Sequence, residues 1–147
     1  MKNNVEALIN GQMLRKLFDK KFQSVREEYQ LRQIELDILY LIARYDAQKT
    51  EKDLVKMCGA SKAHVSKSVE NLRQKGFVAV EGGKKDRRCV YLHVTEEGQR
   101  AADRIRELRE EVTSLVCRGI TEEEKAVLLR VVLKVKENIQ NSLESES

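Results

Sequence analysis

Apolar residues recur at helical spacing along most of the chain. Near the amino end Val5, Leu8, Ile9, Leu14, Leu17, Phe18, Phe22 and Val25 predict a long first helix, with Asn3 or Asn4 at its start. Gly11 falls inside this pattern at a cost of about 1 kcal/mol relative to alanine, so it marks either a close backbone approach or a tolerated defect. The run from Gln33 to Ile42 is apolar on more than one helical face, as expected of a helix contacted from several sides at the centre of a core.

The texture then changes to short elements punctuated by Gly59, Gly76 and the Gly82-Gly83 pair. Thr50 is placed to cap a short helix carrying Leu54, Val55 and Met57, with Asp53 near its positive end, and Cys58-Gly59 closes it. Ser61 caps a second helix over about 62–75, whose buried stripe is Val65, Val69 and Leu72, and Gly76 supplies a left-handed stop. Residues 77–80 and 89–94 read as short strands joined by the long charged connection 81–88. After it, Thr95-Glu96-Glu97 opens a helix with Ala101, Ala102, Ile105, Leu108, Val112, Leu115 and Val116 on its apolar side. Gly119 interrupts, and Thr121 with Glu124 forms a capping box for a last helix carrying Val127, Leu128, Val131, Val132, Val135, Ile139 and Leu143.

The predicted fold class is therefore mainly α with a small β-hairpin: a winged helix-turn-helix flanked by long terminal helices. Its expected divisions are an amino-terminal dimerisation helix over 1–32, a winged helix-turn-helix over 33–95, and linking and dimerisation helices over 96–147. The terminal stripes, represented by Val5, Leu8 and Ile9 at one end and Val131, Val135 and Ile139 at the other, could fold against each other in a monomer, but stripes this long at both ends suggest a partner chain. A second copy of the chain in a two-fold homodimer is the commonest way to bury such faces.

Composition sharpens this picture mainly by exclusion. The 147 residues have 41% hydrophobic and 35% charged residues with no proline or tryptophan, which fits one helix-rich globular domain with extensions. No stretch is long and apolar enough to span a membrane, and the start does not read as a signal peptide, so no membrane partner and a cytoplasmic address are expected. Cys58, Cys89 and Cys117 are odd in number and widely spaced, against both a disulfide framework and a zinc ribbon. Together with His64 and His93 they match no metal-ligand spacing, so no metal or cofactor is expected. Cys58 and Cys117 read as small core residues, while Cys89, next to Arg88, is the one candidate for redox sensing. No catalytic grouping or phosphate-loop pattern supports an enzyme.

Charge is where function enters. The net charge is only +4, but residues 61–88 hold 8 basic against 3 acidic side chains, whereas residues 89–147 hold 9 against 12. The excess positive charge thus coincides with the second helix of the helix-turn-helix and the hairpin after it. With Val65, Val69 and Leu72 buried, Lys62, Ala63, His64, Ser66 and Lys67 are presented outward near the amino end of that helix. Small and polar groups there suit the edges of bases in a major groove, and Ser61 with the helix terminus suits a phosphate. Lys84, Lys85, Arg87 and Arg88 reach for the DNA backbone, one guanidinium being slim enough for a narrow minor groove. Asp86 among them would be repelled by phosphates, so it pairs internally with a neighbouring arginine and braces the hairpin.

These residues resemble the MarR family of bacterial transcriptional regulators, through Ser61-Lys62-Ala63-His64-Val65-Ser66, Gly76-Phe77-Val78, Asp86-Arg87-Arg88 and Leu92-His93-Val94-Thr95-Glu96-Glu97-Gly98. Gly119-Ile120-Thr121-Glu122-Glu123-Glu124 also looks like the family's link into its last helix, so the resemblance spans nearly the whole chain. It implies a homodimer joined through first and last helices, a palindromic double-stranded DNA operator, repression more often than activation, and a small-molecule effector pocket between dimerisation and DNA-binding parts. It also implies that Arg87 is the minor-groove residue and that Asp86 and Arg88 brace the wing. One departure is the segment 44–50, which lacks the proline often found before the family's third helix. A winged helix used for protein interaction, or for nonspecific architectural DNA binding, is the alternative, and salt dependence and sequence preference separate these readings.

Overall fold

The computed structural model describes residues 11–44, 49–82 and 90–146. Six helices and two strands lie among them: α1 (Gln12–Tyr29), α2 (Gln33–Arg44), α3 (Glu51–Cys58), α4 (Lys62–Gln74), β1 (Val78–Gly82), β2 (Val90–Val94), α5 (Glu96–Val116) and α6 (Glu122–Ser145). Val5, Leu8, Ile9 and the Asn3 or Asn4 cap lie outside the described residues, as do Lys84, Lys85, Asp86, Arg87, Arg88 and Cys89 of the hairpin. Two compact units are distinguished, Met1–Val112 and Thr113–Ser147.

In the first unit α2 is central, as its two-faced apolar pattern predicts. Leu36, Ile38 and Leu39 are fully buried, and they share a core with Phe22 and Val25 of α1, Leu54 of α3, Val65 and Leu72 of α4 and Ile105 of α5. Local chemistry sets the helix ends. Thr50 and Asp53 form a reciprocal capping box at the start of α3, and Gly59 closes that helix in the left-handed conformation. Gly76, at φ +82°, ends α4 as expected: its N–H bonds to the Arg73 carbonyl and that of Phe77 to the Leu72 carbonyl, so two otherwise orphaned acceptors are satisfied.

Phe77 therefore belongs to the helix stop, and β1 starts one residue later than the sequence pattern predicts. It also runs to Gly82, so Glu81 and Gly82, read as connection, are part of the ladder. The strands pair antiparallel from Val78↔Val94 to Gly82↔Val90, and the Leu92 N–H donates to the Lys49 carbonyl at 2.7 Å, adding a one-residue bridge.

Gly11 and Gly98 differ in how closely other backbone approaches them. Gly11 is not inside a helix; it stands at the amino end of α1 with φ +64°, and a Cβ there would meet no described atom within 4 Å. The close approach occurs at Gly98 instead. Thr95 caps α5 by accepting from the Gly98 N–H at 3.0 Å while donating to the Gly76 carbonyl at 2.6 Å. This draws the first turn of α5 onto the α4–β1 corner, where a Cβ on Gly98 would lie 2.0 Å from the Phe77 carbonyl oxygen.

In the second unit, Gly119 makes a left-handed turn and Thr121 with Glu124 forms the expected capping box for α6, whose first turn carries three glutamates at the positive end of the helix dipole. None of the residues of α6 is buried. Leu129 and Leu143 are 60% and 63% exposed, Val131 and Ile139 are exposed, and Val135 is half-buried. Cys117 is half-buried here, and Cys58, also half-buried, packs against the core of the first unit. No helix among the described residues is long and apolar enough to cross a membrane.

Candidate nucleic-acid interface

Helices α3 and α4, joined by the turn Gly59-Ala60-Ser61, form the helix-turn-helix. Ser61 adopts an extended backbone and its Oγ accepts from the His64 N–H at 3.2 Å, which ends the turn and starts α4. The inward side of α4 is Val65, Ser68, Val69 and Leu72, all buried. Ser68 was not expected there. It contributes a buried hydroxyl without a hydrogen-bond partner among the described residues.

The opposite side is open. Ser61, Lys62, Ala63, His64 and Lys67 are exposed, as their helical positions predict. The same face continues through Glu70 and Gln74, at the three- and four-residue spacing that keeps side chains in register. Glu70 is held by Arg73, whose Nε and Nη2 donate to its two carboxylate oxygens at 3.0 and 2.9 Å. This contact keeps the Glu70 carboxyl below its ordinary range and offsets a charge that phosphates would repel.

Three polar links fix α4 against its neighbours, and none is evident from residue patterns. On one side Ser66, half-buried, donates its hydroxyl to Glu51 of α3 at 2.7 Å. At the far end Lys75 donates to the Gln30 carbonyl in the turn between α1 and α2. On the side facing α2, Asn71 donates at 2.8 Å to Oε1 of Glu35, a fully buried carboxylate. The same carboxylate accepts from the Arg32 N–H at 2.8 Å, from Nη2 at 2.8 Å and from Nε at 3.1 Å. Burial pushes the Glu35 carboxyl up, but these hydrogen bonds outweigh it and hold the group below the ordinary glutamate range. A glutamate within the apolar run of α2 was the one available signal, because a buried carboxylate requires partners.

A second polar cluster joins α5 to α2. Arg109 Nη2 lies 2.8 Å from the Asp37 carboxylate, and its guanidinium covers the Tyr40 ring at 4.4 Å from the centroid. Leu14, Phe18, Gln33, Asp37 and Arg109 line an adjoining open cleft. The described residues contain no group of three or more His, Cys, Asp or Glu side chains arranged to hold a metal ion.

A helix-turn-helix with an outward polar second helix, followed by a two-stranded hairpin, is a winged helix-turn-helix. The chain belongs to the family described as transcriptional regulator SarA/Rot, whose model matches residues 20–105. It is 30% identical over 98 residues to the uncharacterized HTH-type transcriptional regulator YwhA of Bacillus subtilis strain 168, covering 67% of this chain and 70% of that protein. Two solved structures share the fold. A MarR/EmrR family transcriptional regulator from Acinetobacter sp. ADP1 superposes with a TM-score of 0.80 at 21% identity, covering 95% of this chain and 97% of that one. A putative MarR family transcriptional regulator from Listeria monocytogenes, complexed with 26mer DNA, gives 0.81 at 23% identity, covering 92% and 89%.

Proposed function

We propose that this regulator binds a palindromic operator as a homodimer and represses transcription in the cytoplasm. The observation that carries the reading is the outward face of α4, where Ala63, His64 and Lys67 stand exposed beside the Ser61 cap. Two such helices would enter successive major grooves, about 10 base pairs apart. Lys62 and Lys67 supply donors to guanine edges or phosphates, Ala63 meets a thymine methyl, and Ser61 holds a phosphate at the helix amino end. Lys84, Lys85 and Arg87 engage the backbone and the flanking minor groove, with Asp86 and Arg88 as braces. The complex of the Listeria relative with 26mer DNA supports a duplex as the partner.

Residues 33–95 form the DNA-binding part of this proposal, and the segments 1–32 and 96–147 the dimerisation part. The exposed apolar residues of α6, Val131 and Ile139 among them, support a second copy of the chain as their cover. The cleft beside Arg109 is where a small-molecule effector would act, by favouring a dimer whose two α4 helices no longer match both half-sites.

The test is selection of bound sequences from a random duplex pool at roughly physiological ionic strength, with protein whose dimeric state has been established by sedimentation. A palindrome with half-sites about one helical turn apart is expected. A confirmed dimer that selects no consensus would move the assignment to nonspecific architectural binding or protein interaction.

A further inference from the structure

Arg32 lies in the turn before α2, at the boundary of the segment read as dimerisation helix, yet it faces the recognition helix. With Glu35 it forms one wall of a shallow groove whose other wall is Lys67, Glu70, Asn71 and Gln74 of α4. We propose that Arg32 is a DNA-backbone contact, aimed by Glu35 and kept in register with α4 by Asn71.

Three observations carry this. First, the cation is fixed: Nε and Nη2 of Arg32 both donate to Glu35 Oε1, so the guanidinium plane is set without help from DNA. Ordering a long side chain in advance removes an entropic cost that a free surface lysine bears on binding. Second, the fixing group belongs to α4 as much as to α2. Glu35 Oε1 also accepts from Asn71 at 2.8 Å, so a movement of α4 carries Arg32 with it. Third, the arginine is not itself buried. Glu35 has 1% of its side chain exposed whereas Arg32 has 50%, and Nη1 forms none of the bonds to Glu35. An arginine serving only to neutralise Glu35 has no need to present its outer edge beside Lys67. A guanidinium with a free edge suits phosphate oxygens, which it meets through paired N–H groups.

The arrangement separates two tasks within one network. Glu35 and Asn71 are positioning residues, and Arg32 is the contact. Since a phosphate carries no sequence information, Arg32 contributes affinity without base preference.

The proposal rests on the operator-binding reading, so the experiment begins with wild-type protein and the duplex recovered by selection. Binding is measured by fluorescence anisotropy across a series of salt concentrations. Arg32→Gln, which removes the charge and keeps a donor for Glu35, is expected to weaken operator and unrelated duplex alike, by roughly tenfold. The salt slope should fall by about two, one contact being lost in each half-site. Arg32→Lys should restore most of the slope. In a Glu35→Gln background, Arg32→Gln should cost less than half of its effect in wild type, because the aim has already been lost. A folded Arg32→Gln protein with wild-type affinity and slope overturns the proposal while leaving the regulator assignment intact. Wild-type protein with no salt-dependent duplex binding overturns both. If Arg32→Gln melts early, Arg32→Lys decides alone: operator and unrelated duplex weakened alike support a backbone contact, because lysine lacks the paired N–H groups, and wild-type affinity for both contradicts it.

Discussion

Ser66 and Glu51 stand fifteen residues apart in the chain, yet their side chains meet at 2.7 Å, serine donating to carboxylate across the helix-turn-helix. The hydroxyl that helical position assigns to the groove face is thus engaged in holding α3 and α4 together. Ser66→Ala should cost about 1 kcal/mol in urea unfolding, since a hydrogen bond to a charged group is lost at a half-buried site. Operator preference should stay the same. A change in preferred bases with no change in stability would return Ser66 to the groove.

Ser68 presents the opposite case, a fully buried hydroxyl on the inner side of α4 with no hydrogen-bond partner among the described residues. Replacing such a group with a methyl removes a desolvation penalty at little packing cost. Ser68→Ala should therefore leave stability equal or raise it by about 1 kcal/mol, with the dependence on urea concentration unchanged. A clear loss of stability would show that the hydroxyl is satisfied.

The buried carboxylate makes stability depend on pH in a defined direction. Glu35 has its folded pKa lowered from an ordinary value of 4.5, so its stabilisation is complete above that value and is lost as pH falls through the lower folded one. Unfolding midpoints measured from pH 7 down to pH 3 should decline less in Glu35→Gln than in wild type over the acid part of the range. Parallel curves would mean that the carboxylate is not held in its charged form. Asp53, also lowered by its hydrogen bonds with Thr50, contributes in the same direction in both proteins.

Gly76 and Gly98 should differ sharply when changed to alanine. Gly76 has a left-handed φ but open space around it, so Gly76→Ala costs about 1 kcal/mol of backbone strain. At Gly98 the added methyl meets the Phe77 carbonyl at 2.0 Å, and the α5–β1 corner must open. Gly98→Ala should cost about 3 kcal/mol, near the upper end of overpacking effects. Equal melting temperatures for the two variants would contradict the close approach.

What was legible in the sequence was what is local. The Thr50, Ser61 and Thr121 caps and the Gly76 stop each depend on bonds spanning only three to five residues, and each is found as predicted. The core position of α2 was equally plain, because a two-faced apolar pattern has no other stable use. The polar links were hidden because they join distant positions: Asn71 and Glu35 are thirty-six residues apart, and Asp37 and Arg109 seventy-two. Periodicity places Asn71 at the edge of α4 but does not say which helix lies opposite. Gly11 breaks an apolar pattern, which leaves a close approach and a tolerated defect equally open, whereas at Gly98 glycine follows two glutamates in a helix start and nothing in the pattern marks the backbone packed against it.

The apolar faces of α6 supply a further expectation. Val131→Glu and Ile139→Glu place charge on exposed apolar positions that a second copy is proposed to cover. Sedimentation should show a dimer in wild type and a monomer in the double variant, with operator affinity reduced about a hundredfold or more as the two half-sites cease to be bound together. A double variant that remains dimeric would place the interface elsewhere.

If the outward face of α4 reads a duplex, Ala63 is its sharpest probe, because it is exposed and small. Affinities of wild type and Ala63→Glu should be measured for the selected operator and for a scrambled duplex of equal length, at several salt concentrations. Wild type is expected to prefer the operator by about three orders of magnitude, with a steep salt slope, and Ala63→Glu to abolish the preference while its melting temperature holds. Unchanged operator preference in Ala63→Glu would contradict the assigned face.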